Sequence, residues 1–231
     1  MSSYAKHLAE YLAAVDTTSK THGSALGEQC GANAQRLVEW VHWYRTKRKA
    51  DWCLDLLTGV EASVREAAGC VALGLGRAAI LAIRTQIDLL LAYTYFHEHP
   101  AEWRRVCQTG DGFKLKAELI RYHVDLTPGF GPRRDVLETA APPSMDEIYR
   151  KLSAHVHGQS IHSVPKIREL KDLVWIESAL NEVIEMQAQA ARAMSFFLLA
   201  IHGHELTEIP QPFIEDAKKV LSPKQEKVFF G

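Results

Sequence analysis

The chain has 231 residues and is 47% hydrophobic, enough for a sizeable core in one large or two small domains, which excludes global disorder. The formal net charge of −1 argues against bulk binding of polyanions, so any nucleic-acid contact must be a local patch. Four scattered cysteines without a CxxC pair and no apolar run long enough to span a bilayer predict a cytoplasmic protein with no membrane contact.

Helical periodicity runs through the N-terminal half. An apolar repeat over residues 4–15 predicts the first helix, and the Gly/Ser/Thr-rich stretch 17–27 predicts a loop. A second helix begins near residue 32 and ends in a basic run at 45–49, and a short helix follows it. Residues 61–98 predict one long helix or two stacked ones, because a glycine cluster marks a close crossing or a kink.

The C-terminal half continues the same pattern. Pro100 suits the first turn of a helix, and residues 113–124 predict another. Four prolines and two glycines predict a loop at 127–143. Pro165 is expected to open a long helix that reaches about His202, and one or two short helices complete the tail. With no useful β-alternating run, the predicted fold class is all-α, an antiparallel helical bundle.

A polar stripe marks the segment SMDEIYRKLSAHVHG. Asp146, Arg150, Ser153 and His157 recur at steps of four, three and four. On a helix these positions fall within about 60° of each other. The helix itself is well marked, because the SMDE sequence is a capping box and a glycine follows His157.

The stripe suits phosphodiester chemistry. Histidine is the natural acid and base near neutral pH, and arginine offers a fork for phosphate. RNA supplies its own 2′-OH as nucleophile, so no metal is required. Ser153 is expected to orient His157 or contact phosphate, and Asp146 to hold Arg150. The structural alternative is a polar helix face with a histidine near its C-terminus, and spacing alone favours it.

Arg84 and Asp88 lie four residues apart in a strongly apolar helix. A buried arginine and aspartate usually pair, so a structural ion pair inside the bundle is the favoured interpretation. The functional alternative is that they orient a site from a neighbouring helix.

A basic run lies between Trp43 and Trp52. Basic residues interleaved with aromatic ones can hold phosphates and stack bases, although a solvated helix end has the same composition. The candidate nucleic-acid-binding residues in this run are Arg45, Lys47, Arg48 and Lys49.

Histidine spacing argues against a metal site. The pairs His97/His99, His155/His157 and His202/His204 are i, i+2 pairs, which point about 200° apart on a helix and cannot share an ion. A single ExxH at Glu39 and His42 lacks the second copy that a di-iron bundle needs. No metal or other cofactor is therefore expected, and surface or helix-end histidines are the favoured interpretation.

The same segment resembles a known family. Residues 150–155 fit the R-x4-H form, and residues 150–157 the R-x6-H form, of the motif of HEPN-domain proteins. YRKLSAHVHG, which follows a helix reading RTQIDLLLAYTYFHEHPAEW, is similar to the Y-x-x-L-S-x-x-x-H-G pattern of HEPN-like proteins from bacterial defence and toxin loci. The resemblance covers roughly residues 60–200.

The resemblance implies a helical bundle that usually dimerises, with two motifs facing each other across the interface in one composite site. It also implies a HEPN-like bundle at 60–203, with an N-terminal helical extension at 1–59 that packs on it and a C-terminal helical tail at 204–231. Many members are metal-independent endoribonucleases of toxin–antitoxin, CRISPR-linked or abortive-infection systems. Others have lost catalysis and serve as binding or scaffold domains.

The expected function is a HEPN-like endoribonuclease, a defence or toxin effector, in which Arg150 stabilises phosphate and His157 acts as base and acid. His157 lies about 20° from Arg150 on a regular helix, whereas His155 lies about 140° away and regains its claim only if the helix unwinds early. RNA, a second copy, and an antitoxin or defence-complex protein are the expected partners.

Lys151 is a departure from the motif, since active members often have Asn, Asp or His there. This lysine adds a nucleic-acid-binding candidate and favours the alternative of a silent helical module that binds a protein or nucleic acid in a defence complex. An unrelated helical bundle is the third interpretation.

Overall fold

The computed structural model describes residues 3–49, 51–159 and 166–230, and this part of the chain is helical without any strand. The predicted all-α class is therefore confirmed. The helices are α1 (Ser3–Thr18), α2 (Ser24–Asn33), α3 (Gln35–Lys47), α4 (Leu54–Ala72), α5 (Gly76–Phe96), α6 (Pro100–Thr109), α7 (Lys116–Leu126), α8 (Phe130–Ala140), α9 (Met145–His157), α10 (Glu177–Ile201), α11 (Gln211–Val220) and α12 (Pro223–Phe230).

The α4–α5 hairpin is the most extensive helix pair, and it answers the question left open for residues 61–98 in favour of two helices. The turn between them uses Gly74, whose φ of 79° lies in the left-handed region that favours glycine. Gly76 begins α5 against the indole of Trp175, where a Cβ would lie 2.2 Å from the ring. The glycines thus make a sharp turn and a close approach.

One continuous hydrophobic core joins the helices, with α10 against α2, α3, α5, α8 and α9. Trp40, Ile87 and Phe229 belong to this one cluster, so each of the three predicted chain segments contributes to it. Burial of such large apolar side chains is the main favourable contribution to folding.

A pair of glutamines crosses the centre of the core. Gln86 on α5 and Gln187 on α10 are both 0% exposed, and each side-chain amide donates to the other's carbonyl oxygen at 2.9 Å. Gln86 also donates to the backbone oxygen of Ser63 on α4, at 3.3 Å. Because a one-residue slip of either helix would leave buried amides unpaired, this pair fixes the register of α5 against α10.

The predicted loop at 17–27 is wrong. That stretch forms a π-helical turn, Ser19–Gly23, and the start of α2. Gly23 permits close contact with α4, since a Cβ there would lie 2.2 Å from the backbone oxygen of Ala72. The hydroxyl of Thr21 donates back to the oxygen of Thr17 at 2.8 Å, which continues the helical path. The small residues serve tight packing here, so composition indicated a loop incorrectly.

The predicted loop at 127–143 is also wrong, because α8 occupies its centre. Pro132 lies in the first helical turn, where its missing N–H is not needed. Gly129 precedes the helix with a φ of 70°, and the fully buried side chain of Phe130 anchors it in the core.

The long C-terminal helix begins later than predicted. Pro165 lies outside the described residues, and α10 starts at Glu177. Residues 166–176 form an irregular connection with a short 3-10 turn, Leu170–Leu173. The predicted first helix, the helix at Pro100 and the short tail helices are confirmed by α1, α6, α11 and α12.

α1 is held chiefly by the 3-10 turn Leu170–Leu173 and by the π-helical turn that follows it. Its predicted apolar repeat forms a helix but is not in the core, since Tyr4 is 66% and Leu12 56% exposed. Across the described residues, no helix combines the length and apolar content that crossing a bilayer requires.

We expect Gln187→Met to lower the free energy of unfolding by about 1–3 kcal/mol, because the buried amide of Gln86 loses its partner. Urea denaturation followed by circular dichroism measures the change. Replacing both glutamines by methionine should cost less than the sum of the two single changes, since no polar group is then left unpaired. Gln189→Met on the same helix is the control, and a strictly additive double variant would contradict the register role.

Candidate functional site

α9 presents the polar stripe as the sequence predicted. Ser144 Oγ accepts from the backbone N–H of Glu147 at 3.3 Å, and the Ser144 N–H donates to the Glu147 carboxylate at 2.8 Å. The helix ends at His157, where Gly158 takes a left-handed φ of 61°. The capping box and the glycine stop are confirmed, and α9 stays regular through both candidate histidines.

Asp146 does not hold Arg150. Its carboxylate accepts from Lys116 on α7 and from Arg134 on α8, the latter at 2.7 Å. Partial burial acts to raise the pKa of Asp146, but the hydrogen bonds from these two cations dominate and hold it below its ordinary value. Asp146 therefore ties three helices together at the base of the stripe.

Arg150 and Lys151 lie beside a groove. Both side chains are exposed, and they line a cavity of about 500 Å³ between α9 and α10. Within the described ranges, the Arg150 guanidinium makes no hydrogen bond. The carboxylate of Glu147 lines the same groove, and its pKa is lowered by hydrogen bonding to Ser144 and, to a smaller extent, by the charge of Arg150. Two cations at the edge of one groove can hold the phosphates of an extended strand.

Ser153 is buried, and its hydroxyl oxygen has no hydrogen-bond partner among the described residues. The expected contact with His157 is absent from that part of the chain. Ser153 faces the interior of the bundle, so the stripe is exposed at Asp146, Arg150 and His157.

His157 meets an arginine from another helix. The Nη1 atom of Arg84 on α5 lies 3.1 Å from the His157 Nε2 atom. Arginine only donates, so Nε2 must be the acceptor and the ring proton is on Nδ1. Arg84 thus contacts α9 from α5, while its functional interpretation stays a prediction.

Arg84 is itself fixed by a small network. Its Nη2 atom donates to the Tyr149 hydroxyl at 3.1 Å, and that hydroxyl donates to Asp88 at 2.8 Å. The predicted ion pair is also present, with Arg84 Nε 3.6 Å from the Asp88 carboxylate. Burial raises the pKa of Asp88, although Tyr149 and Arg84 act to lower it. Arg84 therefore has both roles, an ion pair within α5 and a contact to α9.

His155 occupies a different setting. It is half-buried beside Lys151 and Arg77, and burial followed by these cations lowers its pKa despite the opposing charge of Glu182. Such a ring stays neutral at neutral pH. The structure thus gives the two histidines different surroundings, with only His157 beside the Arg84 guanidinium.

The basic run is largely paired with neighbouring groups. Arg45 lies 3.4 Å from Glu61, and Lys47 lies 2.6 Å from Glu208. Arg48 turns inward and donates to His97 Nδ1 at 2.6 Å, whereas Lys49 is exposed. These contacts leave little free charge for phosphate, and a nucleic-acid role for the run stays a prediction.

Three buried histidines meet at the other end of α5. His97, His123 and His202 line a cavity of about 180 Å³, which we call the His-rich pocket. Burial is the main cause that lowers the pKa of His97 to about 3, and of His123 and His202 to about 4. Nearby Arg48 lowers the pKa of His97 and His202 further.

Neighbouring groups determine which ring nitrogen carries the proton in His97 and His202. Arg48 donates to Nδ1 of His97, so the proton of the neutral ring is on Nε2, which faces Glu98 at 3.7 Å. In His202, Nδ1 lies 3.4 Å from the Glu205 carboxylate and Nε2 lies 2.7 Å from the Tyr44 hydroxyl. A carboxylate accepts, so Nδ1 carries the proton and Nε2 accepts.

The hydrogen-bond partners of His123 determine its tautomer in the same way. The Thr94 hydroxyl donates to the Leu91 oxygen at 2.8 Å, which leaves its oxygen to accept from His123 Nε2 at 2.9 Å. Nδ1 then accepts from Thr127 at 3.0 Å. All three rings are thus neutral, and both nitrogens of His123 and His202 have hydrogen-bond partners, whereas Nε2 of His97 lies 3.7 Å from Glu98, beyond hydrogen-bond distance.

No protein-family model, no curated protein and no solved structure matches this chain. Among the described residues, no group of three or more His, Cys, Asp or Glu side chains is placed to hold a metal ion. Functional interpretation therefore depends on the side-chain geometry.

Sequence reasoning did not find the His-rich pocket. His97 and His202 had been noted only as members of i, i+2 pairs. Of their partners in those pairs, His204 lines the same pocket, whereas His99 does not and stacks on the Tyr95 ring at 3.9 Å. The sequence did contain one signal for the pocket. Both histidines directly follow a long apolar helix, so each lies at a helix end.

We expect the free energy of unfolding to fall as pH drops from about 6.5 to about 4. The unfolded rings take up protons in this window and the folded rings do not, because their pKa values are depressed. The sign is therefore loss of stability with acid, and three rings give a slope of about 4 kcal/mol per pH unit.

Urea denaturation at a series of pH values measures this slope. His123→Gln should reduce it by about a third, whereas the control His42→Gln, at a largely exposed position, should leave it unchanged. A stability that is flat between pH 6.5 and pH 5 would contradict the neutral, buried assignment of these rings.

Proposed function

We propose that the chain is a metal-independent endoribonuclease whose reaction centre combines His157 and Arg84, with Arg150 beside it. The observation that carries the proposal is the 3.1 Å contact between the Arg84 guanidinium and Nε2 of an exposed histidine. It is supported by the resemblance of this segment to the HEPN motif. An exposed imidazole beside a fixed guanidinium provides acid–base and anion-stabilising chemistry in one place.

The reaction begins when a phosphate of the RNA strand takes the Arg84 Nη1 donor and frees the Nε2 lone pair. Nε2 then accepts the proton of the 2′-OH, whose oxygen attacks phosphorus. The bond from phosphorus to the 5′-oxygen breaks, and the imidazolium returns the proton to that leaving oxygen. The products are a 2′,3′-cyclic phosphate and a 5′-hydroxyl end, with all atoms and protons balanced.

Arg84 has two roles in this scheme. Before substrate binds, it occupies Nε2 and keeps the base inactive. In the transition state its guanidinium stabilises the charge on the non-bridging oxygens, as a fixed donor in a partly buried setting does. Tyr149 and Asp88 hold the guanidinium in place and act as positioning residues.

Arg150 and Lys151 bind the strand beside the reaction centre. Arg150 and His157 are seven positions apart in the sequence, which corresponds to about 10 Å along α9. This distance places Arg150 at an adjacent phosphate of an extended strand when both act within one subunit. In a homodimer of the HEPN type, Arg150 of a second copy binds this adjacent phosphate instead.

His157 is preferred to His155 as the base. α9 stays helical through both residues, which was the condition for His157, and burial removes His155 from the exposed face. A cytoplasmic defence or toxin effector with an antitoxin or other protein partner completes the proposal.

A second function is favoured by two observations. Arg84 already occupies Nε2 of His157, and Arg150 faces a separate groove. These features, with Lys151, suit a catalytically silent helical module that binds nucleic acid or a protein in a defence complex. The two proposals differ in whether RNA is cut or only held.

Purified protein should cleave a mixed RNA pool in the presence of EDTA and leave 2′,3′-cyclic phosphate ends. His157→Ala and Arg84→Gln should each lower the rate by about 100-fold or more, because they remove the base and a transition-state donor. The product ends are identified by mass spectrometry, and 2′-O-methyl RNA should stay intact because it lacks the nucleophile.

His42→Ala and Arg65→Gln are the matched controls, at exposed positions remote from the stripe. Cleavage that survives both His157→Ala and Arg84→Gln would sink the mechanism. RNA binding without any cleavage by the wild-type protein would instead support the silent module.

Arg150→Ala should weaken RNA binding several-fold and reduce the slope of log K against log salt by about one, since one phosphate contact is lost. Fluorescence anisotropy of a labelled single strand at several salt concentrations measures both quantities. Arg121→Ala, at an exposed position on α7, is the control. An unchanged salt slope in Arg150→Ala would remove Arg150 from the binding surface.

A further inference from the structure

The His-rich pocket lies where four helices end. Arg48 follows α3, His97 follows α5, Thr127 follows α7 and His202 follows α10, and all four line the cavity. Helix C-termini carry partial negative charge, which usually attracts cations. The pocket is remote from the stripe, because Arg84 and His97 are separated by about 20 Å along α5.

The histidines make the wall of this pocket and leave its ligand-binding capacity to other groups. Hydrogen bonds occupy both nitrogens of His123 and His202 and Nδ1 of His97, while Nε2 of His97 faces Glu98 at 3.7 Å. The remaining capacity is carried by the other N–H groups of Arg48 and by the carboxylates of Glu98 and Glu205. Glu98 also accepts from the Tyr122 hydroxyl, and Glu205 lies 3.4 Å from both His202 and His204, which leaves further lone pairs of each carboxylate for a ligand. In the described ranges, the Arg48 guanidinium donates to His97 alone, through one of its nitrogens.

Charge decides which ligand fits. A carboxylate or phosphate alone would meet Arg48 but also two carboxylates and four negative helix ends. An ammonium alone would meet the carboxylates but also the Arg48 guanidinium. A molecule with both charges satisfies both sides, so the pocket is complementary to a zwitterion.

Size and spacing narrow the class further. The volume of 180 Å³ corresponds to about six water molecules, which excludes drug-sized ligands. Arg48 and Glu98 contact opposite nitrogens of the His97 ring, at 2.6 Å and 3.7 Å. The two charges are therefore separated by one imidazole and two contacts, a span that an α-amino acid covers with a hydrogen bond at each end.

We propose that the His-rich pocket binds a free α-amino acid, with its carboxylate on Arg48 and its ammonium on Glu98 and Glu205. The apolar residues of the wall, Leu126, Pro128 and Ile201, contact its side chain and favour a small apolar one. This site is independent of the proposed ribonuclease chemistry on α9.

Isothermal titration calorimetry of the full chain tests the proposal with leucine, isopentylamine, which lacks the carboxylate, and isocaproate, which lacks the ammonium. Leucine or another small apolar amino acid should bind, and the two truncated analogues of the amino acid that binds should each bind at least about tenfold more weakly. Equal binding of the amine would show a simple cation site, and equal binding of the acid an anion site. Either result, or no binding of any small apolar amino acid at millimolar concentration, overturns the proposal.

Variants assign the two charges. Arg48→Met and Glu205→Gln should each weaken amino-acid binding by about tenfold or more, whereas Arg65→Met on the exposed face of α4 should not change it. Arg48→Met should bind isopentylamine at least as well as the wild-type protein does, because the repelling cation is gone. Loss of that binding too, in a variant that keeps its circular dichroism spectrum, would contradict the assigned role of Arg48.

Discussion

The reciprocal hydrogen bonds between Gln86 and Gln187 set the geometry on which both candidate sites depend. Apolar packing alone tolerates sliding of one helix along another, whereas a buried amide pair is satisfied in one register only. Arg84 and Asp88 flank Gln86 on α5, and His97 ends the same helix. A single polar contact in the core therefore decides where Arg84 meets α9 and where His97 meets α10.

His157 and the histidines of the His-rich pocket lie in two different surroundings, the former exposed and the latter buried. His157 is exposed and accepts a hydrogen bond from a cation, so a ligand that competes for the cation changes what the ring can do. The rings of the His-rich pocket have less freedom, because they are buried and protein groups hydrogen-bond to all of their nitrogens except Nε2 of His97. The first setting suits proton transfer, and the second suits a rigid wall of defined polarity.

Helix start and stop signals predicted α9 correctly, whereas contacts between helices could not be predicted from the sequence. The capping box at Ser144 and the stop at Gly158 act within a few residues, so α9 and its stripe were predictable. Composition misled at Gly23 and Pro132, because a small residue at a close crossing and a proline in a first turn resemble a loop.

The partners of the charged groups could not be predicted, because they come from other helices. Asp146 was expected to bind Arg150 one turn away, but it accepts hydrogen bonds from Lys116 and Arg134 on two other helices instead. Arg48 likewise belonged to a surface run in the sequence and to an interior wall in the structure. Spacing along one helix says nothing about which side chains the neighbouring helices bring.

The contact between α1 and the 3-10 turn Leu170–Leu173 has a consequence for synthesis. α1 also packs on the π-helical turn Ser19–Gly23 that directly follows it, but the 3-10 turn leaves the ribosome only after α9 is complete. The nascent chain therefore carries α1 without this second contact while α4 and α5 fold. The docking of α1 is thus completed only when the chain beyond α9 has been made.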